Sequence, residues 1–501
     1  MIACLHTGCL HGLNTYLIKV EVDLQQGLPA FHVVGLPDAA LRECKERVRS
    51  AFKNSGLVFP MKRITVNLVP ASLRKEGSLF DLAIAFALWM AMQKRSTDHF
   101  RDSFFLGELS LRGELQTISG VLPLVIAAKR AGFKKVFVPK MNVHEASLVP
   151  EIEIYPLENF GQLISHVVEN QKMKPFERSQ GTSFFQEEGN FQSIKGQRWA
   201  KKALEVAAAG GHHLLFMGPP GCGKTVLAQK LPLLLPPLTY EESLEITQIY
   251  SVMGLTETTA PLICRRPFRN PHHTATLAAM AGGGKGLLPG ELSLSHRGVL
   301  FLDEATEFRR DVLELLREPL EERKVKLRRI TGMSDFPAHF LLVLAFNPCP
   351  CGNFNHPKKN CQCGIQEVER YQRKVSGPLL DRIDLHVQLS HVTQEEREQK
   401  NEDDLPAMRE RILQARESQH HRFSNPLKLN TDIKFQEIES FCSLDSQGRS
   451  FLDRAMDKFG LSLRSFHKIL KIARTLADLE GEHKIEEGHL SQALQFRYLD
   501  R

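Results

Sequence analysis

The sequence predicts an α/β protein with two sheet-containing parts and a helical C-terminal part. Short β-rich runs alternate with apolar helical patterns from residue 1 to about 165, and this alternation returns from residue 191 to about 395. From about residue 405 to residue 501 the pattern is helical throughout. Alternation of this kind is typical of sheets covered by helices, and the second stretch favours a doubly wound sheet.

The predicted boundaries place one domain at residues 1–169, a linker at 170–190, a second domain at 191–400 and a helical domain at 401–501. In the first domain RITVNLVP and KKVFVP are strand patterns, whereas FDLAIAFALWMAM is an apolar helical pattern. The linker is polar and has no periodicity. About three domains also suit a chain of 501 residues.

Composition excludes several classes of protein. Apolar residues make up 42% of the chain and charged residues 25%, which is an ordinary globular balance. No run of 18 apolar residues occurs and the N-terminus lacks a signal-peptide pattern, so we expect no membrane partner. Ten cysteines without an export signal favour reduced thiols or bound metal and a cytoplasmic location. The net charge of +7 permits a nucleic-acid partner without requiring one.

A phosphate-binding loop is predicted at residues 218–225, where GPPGCGKT follows the apolar run LLFM and precedes a helical pattern. Glycines let backbone N–H groups wrap phosphates closely, and the following helix directs its positive end at them. We expect Lys224 to reach the β- and γ-phosphates of ATP and the Thr225 hydroxyl to coordinate Mg²⁺. The residues predicted to hold the nucleotide in this loop are Gly218, Pro219, Pro220, Gly221, Cys222, Gly223, Lys224 and Thr225.

Two acids follow a second apolar strand pattern, VLFL at residues 299–302. Acidic side chains at the end of a buried strand need a reason to be there, because an unpaired charge is costly to bury. We expect Asp303 to hold Mg²⁺ and its waters, and Glu304 to act as the general base that polarises the attacking water.

Two further side chains complete the predicted chemistry. Asn347 ends the apolar run AHFLLVLAF and can orient water against the γ-phosphate, although asparagine also caps strand ends without any catalytic role. Arg382 lies between two acids in LLDRIDL. It can serve a neighbouring subunit's nucleotide, which raises hydrolysis by about 10³ to 10⁵. Alternatively, it forms a local ion pair with Asp381 or Asp384.

Four cysteines form two C-x-C pairs within residues 349–363, CPCGNFNHPKKNCQC. Zn²⁺ prefers four thiolates at about 2.3 Å in a tetrahedron, and the intervening loop is too polar to fold by burial alone. The pattern predicts a structural zinc site of Cys349, Cys351, Cys361 and Cys363. The spacing is tighter than usual for zinc, so free reduced thiols remain the alternative.

Cations that can contact DNA alternate with apolar residues in KVKLRR. On a strand this alternation puts Lys324, Lys326 and Arg328 on one face. That face can follow phosphates without reading base sequence, or it can protect an edge strand from pairing. The glycine loop AGGGKGLLPG carries Lys285, which is either a second DNA contact or an ordinary solvated residue.

The adjacent His272 and His273 in NPHHT are poor joint ligands for one metal. A turn with local hydrogen bonds accounts for them, so the sequence gives them no catalytic role.

The motifs at residues 218–225 and 299–304, with Asn347 and Arg382, resemble the Walker A, Walker B, sensor 1 and arginine-finger elements of AAA+ ATPases. RPFRNPHHTATLAAMAGGGKGLLPGELSLSHRGVLFLDE, LREPLEERKVKLRRITG and NPCPCGN are similar to the magnesium-chelatase-like ComM/YifB family, over nearly the whole chain. The resemblance implies an AAA+ P-loop core with a helix-2 insert and a C-terminal helical lid. Arg464 in LSLRSFHKIL matches sensor 2, which reaches the nucleotide, unless it is a solvated helix arginine.

For this family the resemblance implies an ATP-driven hexamer that promotes branch migration and helicase activity on branched DNA, aiding integration of incoming DNA in natural transformation. The expected partners are single-stranded or branched DNA and further copies of the chain. The expected cofactors are ATP, Mg²⁺ and structural Zn²⁺. Two alternatives stay open: the ATPase motor subunit of a metal-porphyrin chelatase, which the first domain and the cysteines argue against, and a nucleotide-gated adaptor without unwinding activity.

The first domain resembles the proteolytic domain of Lon, an α/β fold of the ribosomal S5 type. GELSLRGELQTISGVLPLVIAAKRAG follows the Lon pattern, and LVPASLRKEGSLFDLAIAFAL corresponds to the stretch that carries the nucleophile. The catalytic serine then falls at Leu79 and the lysine at Leu122, and leucine can neither attack nor accept a proton. We therefore expect no peptidase activity and a scaffold or partner-binding role.

Overall fold

The computed structural model describes residues 2–168, 173–178, 196–284, 287–329, 332–354, 359–390 and 405–497. Most of the predicted linker and Lys285 lie outside these residues. The predicted α/β class is confirmed, because the chain forms a seven-stranded sheet, a separate five-stranded parallel sheet and a C-terminal group of helices. The domain boundaries themselves remain predictions.

The first part of the chain forms nine strands. They are β1 (Ala3–His11), β2 (Asn14–Gln25), β3 (Ala30–Val34), β4 (Arg63–Val69), β5 (Ser103–Phe105), β6 (Glu108–Leu109), β7 (Leu115–Gln116), β8 (Lys135–Pro139) and β9 (Glu153–Leu157). Seven of them form a mixed sheet in the order β3-β4-β2-β1-β5-β8-β9, whereas β6 and β7 form a ladder of their own. In β2 the alternate residues Ile18, Val20 and Val22 are buried, which fixes the face that meets the core.

Six helices accompany this sheet: α1 (Ala39–Arg42), α2 (Cys44–Asn54), α3 (Asp81–Met92), α4 (Val121–Arg130), α5 (Val143–Ala146) and α6 (Phe160–Val168). Helix α3 packs on β1 and β2 and is buried from Asp81 to Ala91, as expected for a helix that is apolar on all sides. Its one buried charge, Asp81, is paired with Arg47 at 2.5 Å.

The described residues of the second part form nine strands and nine helices. The strands are β10 (Leu214–Met217), β11 (Phe268–Arg269), β12 (Gly282–Gly283), β13 (Leu288–Pro289), β14 (Val299–Leu302), β15 (Lys324–Arg329), β16 (Gly332–Pro337), β17 (Leu341–Phe346) and β18 (Leu385–Gln388). The helices are α7 (Arg198–Gly210), α8 (Lys224–Leu234), α9 (Tyr240–Val252), α10 (Leu277–Ala281), α11 (Glu291–Leu294), α12 (Arg310–Leu315), α13 (Arg317–Glu322), α14 (Ile365–Gln372) and α15 (Gly377–Leu380).

Five of these strands form the all-parallel sheet, in the order β11-β14-β17-β10-β18. Strands β10 and β14 are buried throughout, as continuous apolar runs are in parallel sheets. Because parallel strands end at the same edge, the segments that follow β10, β14 and β17 meet there, and this edge carries the ligand site in such folds.

The C-terminal part is helical: α16 (Leu405–Phe423), α17 (Ile438–Phe441), α18 (Ser446–Phe459), α19 (Leu463–Glu480) and α20 (Glu487–Gln495). Apolar residues of α19, such as Ile469 and Leu476, share one core with Phe216 of β10 and Leu227 of α8. The C-terminal helices therefore pack on the helices that flank the parallel sheet.

Candidate nucleotide-binding site and cysteine cluster

The loop between β10 and α8 has the backbone that wraps a phosphate chain. Gly221 and Gly223 have φ values of 77° and 92°, a region that residues with a Cβ atom rarely adopt. At Gly218 a Cβ atom would lie 2.8 Å from the Leu389 carbonyl oxygen. The N–H groups at the start of α8 follow directly, so the loop and the helix end together form an anion site. Burial raises the pKa of the Cys222 thiol, which stays protonated beside this loop.

Lys224 lies within the loop and contacts a second motif. Its Nζ donates hydrogen bonds to the carbonyl oxygens of Gly218, at 2.7 Å, and Pro219, at 3.0 Å, and to Oδ1 of Asn347, at 3.0 Å. Burial lowers the pKa of the ammonium, and the nearby Asp303 partly opposes this shift. The predicted phosphate-binding lysine and the predicted water-orienting asparagine are thus in direct contact.

Thr225 and Asp303 meet at the edge of the sheet. The Thr225 hydroxyl donates to Asp303 Oδ2 at 2.7 Å, and Asp303 Oδ1 accepts from the backbone N–H of Glu304 at 3.0 Å. A hydroxyl and a carboxylate are the oxygen ligands that Mg²⁺ prefers. Glu304 follows in the left-handed region, with φ 50°, and its side chain is exposed. The two predicted Mg²⁺ ligands are therefore adjacent, with the predicted base beside them.

Sequence reasoning missed a residue next to Glu304. His273 Nδ1 lies 3.9 Å from Glu304 Oε2, and the His273 ring lies against that of His272, with centroids 4.1 Å apart and the planes tilted by 35°. The usable signal was the position of NPHHT, which begins directly after β11. Because β11 pairs in parallel with β14, the residues that follow both strands come together.

Arg382 and Arg464 lie in the same part of the structure, apart from the P-loop. Arg382 donates to Glu321 Oε1 at 2.5 Å, and Arg464 donates to Asp381 Oδ2 at 2.8 Å. Both line a cavity of about 930 Å³, and none of the described residues that line it belongs to residues 218–225. The ion pair that the sequence offers as the alternative for Arg382 forms with Glu321 instead of the adjacent acids.

The four cysteines predicted to bind metal form one cluster. Their Sγ atoms all lie within 4.8 Å of one another, and the distances among Cys349, Cys351 and Cys361 are 3.4, 3.6 and 3.7 Å. A tetrahedral zinc with Zn–S bonds of about 2.3 Å separates its sulfurs by about 3.8 Å, so these thiols fit such an ion. Backbone N–H groups of Asn353 and Gln362 lower the pKa of Cys351 to about 6, which favours the thiolate that a metal requires.

The cysteine cluster adjoins both nucleotide motifs. A Cβ atom on Gly352 would lie 2.6 Å from Cδ of Pro220 in the P-loop. The hydroxyl of Thr306, which follows Glu304 by two residues, donates to the Tyr371 hydroxyl at 2.7 Å, and Gln372 donates to the Pro348 carbonyl at 2.8 Å. The cluster thus lies beside the candidate nucleotide site.

Comparison with known proteins identifies the family. Family models match three stretches: magnesium chelatase, subunit ChlI at residues 190–397; subunit ChlI of Mg-chelatase at 20–142; and the ChlI C-terminal model at 403–497. Competence protein ComM of Haemophilus influenzae is 39% identical over 514 residues, covering 100% of this chain and 98% of that protein. YifB of Escherichia coli is 38% identical over 513 residues, with the same coverage.

The chain belongs to the ComM/YifB family. Mycobacterium tuberculosis Rv2897c is likewise similar, at 41% identity over 490 residues and 97% of each chain. This family has the magnesium-chelatase type of AAA+ ATPase, which indicates ATPase activity with ATP and Mg²⁺ as cofactors. Among the described residues, no helix has the length and apolar character needed to span a bilayer.

The basic strand of this ComM/YifB chain forms a hairpin. Strands β15 and β16 pair antiparallel, and Val325 is buried while Arg328 is exposed, as the alternation predicts. Lys324 lies 3.5 Å from Asp335. Lys326 pairs with Glu322 and lies 3.5 Å from Glu318. Within the described part of the chain, carboxylates therefore lie beside two of the three hairpin cations predicted to contact DNA, Lys324 and Lys326.

The N-terminal region is locally similar to Lon. Archaeal Lon protease of Pyrococcus abyssi is 35% identical over 104 residues, which are 20% of this chain and 10% of that protein. Ser78 donates to Glu108, and Leu122 is fully buried on α4 with its N–H bonded to Glu145 Oε1 at 3.1 Å. Ser251 of α9 donates to that same carboxylate, so α9 covers the position at which the sequence places the Lon lysine.

Proposed function

We propose that this chain is one subunit of a hexameric ring that hydrolyses ATP between neighbouring copies and uses the energy to move branched DNA. The observation that carries this proposal is the separation of Arg382 from Lys224 within one chain. Arg382 lines a cavity to which the P-loop does not contribute, so a second copy is needed to bring an arginine to the nucleotide. A head-to-tail contact of this kind forms a ring when its rotation closes, and we propose that it does so here with six copies.

In the proposed reaction each side chain has one role. Lys224 binds the β- and γ-phosphates, while Thr225 and Asp303 hold Mg²⁺. Glu304 accepts the proton of the attacking water, which Asn347 orients. His273 Nδ1 lies 3.9 Å from Glu304 Oε2, which is longer than a hydrogen bond, and its proposed role is to position this carboxylate. Arg382, together with Arg464, stabilises the charge that develops on the phosphates of the neighbouring subunit.

The segment α10–β12–β13–α11, between β11 and β14, is the proposed helix-2 insert, and α16 to α20 are the proposed lid. We propose that the hairpin β15–β16 tracks the DNA backbone. The carboxylates beside Lys324 and Lys326 would then exchange for DNA phosphates, so binding depends steeply on salt and little on base sequence.

A role in natural transformation is proposed because the full-length relative from Haemophilus influenzae is named a competence protein. Branch migration of a junction between incoming and resident DNA is the activity that a ring moving on branched DNA would supply. The protease-like part then acts as a scaffold, since both positions of the Lon catalytic pair are leucine.

We propose Zn²⁺ as the metal of the cysteine cluster. The sulfur–sulfur distances support it, and the sequence between the two C-x-C pairs is too polar to fold by burial alone. The ion would fix the loop that contacts Pro220 and would take no part in ATP hydrolysis.

A second candidate is the motor subunit of a metal-porphyrin chelatase, which the magnesium-chelatase family models favour. A discriminating measurement is ATP hydrolysis by the purified protein with branched DNA or with a porphyrin and its chelatase partners. The motor proposal predicts stimulation by DNA alone.

The deciding experiment follows a labelled four-way junction incubated with the protein, Mg²⁺ and ATP. We expect the junction to be resolved into duplexes by the parent chain and not by Glu304→Gln, which binds ATP without activating water. If Glu304→Gln processed the junction as well as the parent, the ATP-driven mechanism would be wrong. If the porphyrin and its chelatase partners stimulated hydrolysis and DNA did not, the chelatase candidate would replace the DNA-motor proposal.

A further inference from the structure

The cavity lined by Arg382 and Arg464 is large enough to hold a small ligand, and its lining carries an excess of positive charge. It has a volume of about 930 Å³ and lies between the C-terminal helices and residues such as Gly298 and Leu341, at the amino ends of the parallel strands. This edge is opposite to the one that bears the P-loop. Ten arginines and lysines line the cavity, against six aspartates and glutamates.

Every acid in the lining is already paired with a cation of the same cavity. The pairs are Glu242 with Arg266, Glu321 with Arg382, Asp381 with Arg464, Asp384 with Lys468, Asp432 with Arg323, and Glu437 with Lys428. Arg297 shares Glu242 and also pairs with Glu245. Among the described residues, three lining cations form no ion pair: Arg416, Lys434 and Lys471. Carboxylates act on two of them at longer range, Glu242 on Arg416, and Asp384 and Glu437 on Lys471.

Two of these three are held by carbonyl oxygens, which carry no net charge. Arg416 donates from Nε and Nη2 to the Ala208 carbonyl at 3.0 and 2.7 Å, and Lys471 donates to the Thr431 carbonyl at 2.9 Å. Burial, followed by the nearby Arg266, lowers the pKa of Arg416 to about 9, and burial also lowers the pKa of Lys471. Both side chains are half-buried, and the cations of the cavity outnumber its carboxylates, so the cavity favours an anion from outside the chain.

We propose that this cavity binds a small anion bearing several phosphate groups, held by Arg416, Lys434 and Lys471, at a site separate from the P-loop. The three cations that form no ion pair favour an anion with several charges, such as a di- or triphosphate. A guanidinium also offers the paired N–H groups that fit phosphate oxygens. The volume falls in the range of small-ligand pockets, about 300 to 1,000 Å³. The same chemistry suits inorganic polyphosphate and the phosphate chain of a free nucleotide.

The test uses the full-length chain carrying Lys224→Ala, which removes phosphate binding at the P-loop. Titration calorimetry with tripolyphosphate should show saturable binding at one site per chain. Adding Arg416→Gln or Lys471→Gln should raise the Kd at least tenfold. Arg454→Gln is the matched control, because Arg454 lies on α18, outside the cavity, and among the described residues it donates only to the Ser450 carbonyl. Its Kd should stay within twofold of the background.

Two further arms make the outcome decisive. ATP in place of tripolyphosphate shows whether a nucleotide is the preferred source of the phosphates, and a 20-nucleotide single strand shows whether the site is a DNA contact. Absence of saturable binding, equal Kd values in Arg416→Gln and Arg454→Gln, or binding of the oligonucleotide alone would each overturn the proposal.

Two other variants serve as controls, one for misfolding and one for binding by the proposed arginine finger. Lys434→Gln changes an exposed side chain and provides a second reading if Arg416→Gln fails to fold. It should raise the Kd severalfold. A loss confined to Arg382→Ala would assign the phosphates to that arginine and overturn the inference, while leaving the proposed motor function intact.

Discussion

Gly352 of the cysteine cluster packs directly on Pro220 of the P-loop, since a Cβ atom at Gly352 would lie 2.6 Å from Pro220 Cδ. Real Cβ atoms do not approach a neighbour so closely, and the φ of 77° at Gly352 also disfavours a side chain. The position of the P-loop is therefore linked to the position of the cysteines, although 132 residues separate Pro220 from Gly352 in the sequence.

The first prediction concerns this contact. Gly352→Ala must displace Pro220 or strain its own backbone, and we expect it to raise the Kd for a fluorescent ATP analogue about tenfold, with a loss of about 1–2 kcal/mol in stability. Gly364→Ala is the matched control, because a Cβ atom there meets nothing within 4 Å and φ is −67°. Equal affinities for the two variants would show that the contact does not shape the P-loop.

The second prediction concerns the metal. The purified protein should contain about one zinc per chain, and the double variant Cys349→Ser/Cys351→Ser should contain almost none, because two of the four thiolates are lost. Removing the zinc with a chelator should lower the Tm of the parent and leave that of the double variant unchanged. Cys264→Ser, a half-buried thiol outside the cluster, should keep its zinc. Metal content that is the same in all three proteins rules out the site.

The third prediction concerns His273. If this ring holds the carboxylate of Glu304, His273→Ala should lower kcat for ATP hydrolysis about tenfold while the affinity for ATP changes less than twofold, because the phosphate contacts are untouched. His420→Ala replaces an exposed histidine of α16 and should leave both quantities unchanged. Unchanged kcat in His273→Ala would remove this residue from the mechanism.

The fourth prediction concerns acid stability. Burial lowers the pKa of His213 from 6.5 to about 4, and its Nδ1 accepts a hydrogen bond from the Leu342 N–H at 3.1 Å. Below pH 6.5 the unfolded chain takes up a proton that folded His213 does not. The free energy of unfolding therefore falls as pH decreases from about 6.5 to 4, by on the order of 2–3 kcal/mol from this group.

His213→Asn keeps an acceptor for the Leu342 N–H but does not titrate, so its stability should depend less on pH in that window. Urea unfolding at pH 4.5, 5.5, 6.5 and 7.5 measures the difference. His99→Asn, an exposed histidine, should retain the slope of the parent. Parallel slopes for the parent and His213→Asn would contradict the assignment.

Sequence patterns were sufficient for the elements whose chemistry is local. The P-loop occupies eight consecutive residues, and the strands β10, β14 and β17 are continuous apolar runs, so both the motif and its parallel-sheet setting could be predicted. The cysteine cluster was predictable for the same reason, because fifteen residues contain all four thiols.

Relationships between distant residues could not be predicted in this way. His273 meets Glu304 only because β11 and β14 are neighbours in the sheet, and Arg464 meets Asp381 only because α19 packs beside the end of α15. The same limit applies to the hairpin. The alternation of cations and apolar residues in β15 could be predicted from the sequence, whereas the acids on α13 that pair with Lys326, Glu318 and Glu322, could not. The excess charge of the cavity emerges only once many separate stretches of chain have packed together.

The central claim is that each ATP is hydrolysed by residues of two chains, and a mixing experiment tests it most directly. Lys224→Ala and Arg382→Ala chains should each be nearly inactive alone, with hydrolysis at least a hundredfold below the parent. In an equal mixture of the two chains, assayed on branched DNA, roughly a quarter of the subunit interfaces pair an intact P-loop with an intact arginine. Hydrolysis should therefore recover to roughly a quarter of the parent rate. A mixture no more active than its components, or an Arg382→Ala chain that hydrolyses ATP at the parent rate, would contradict the account.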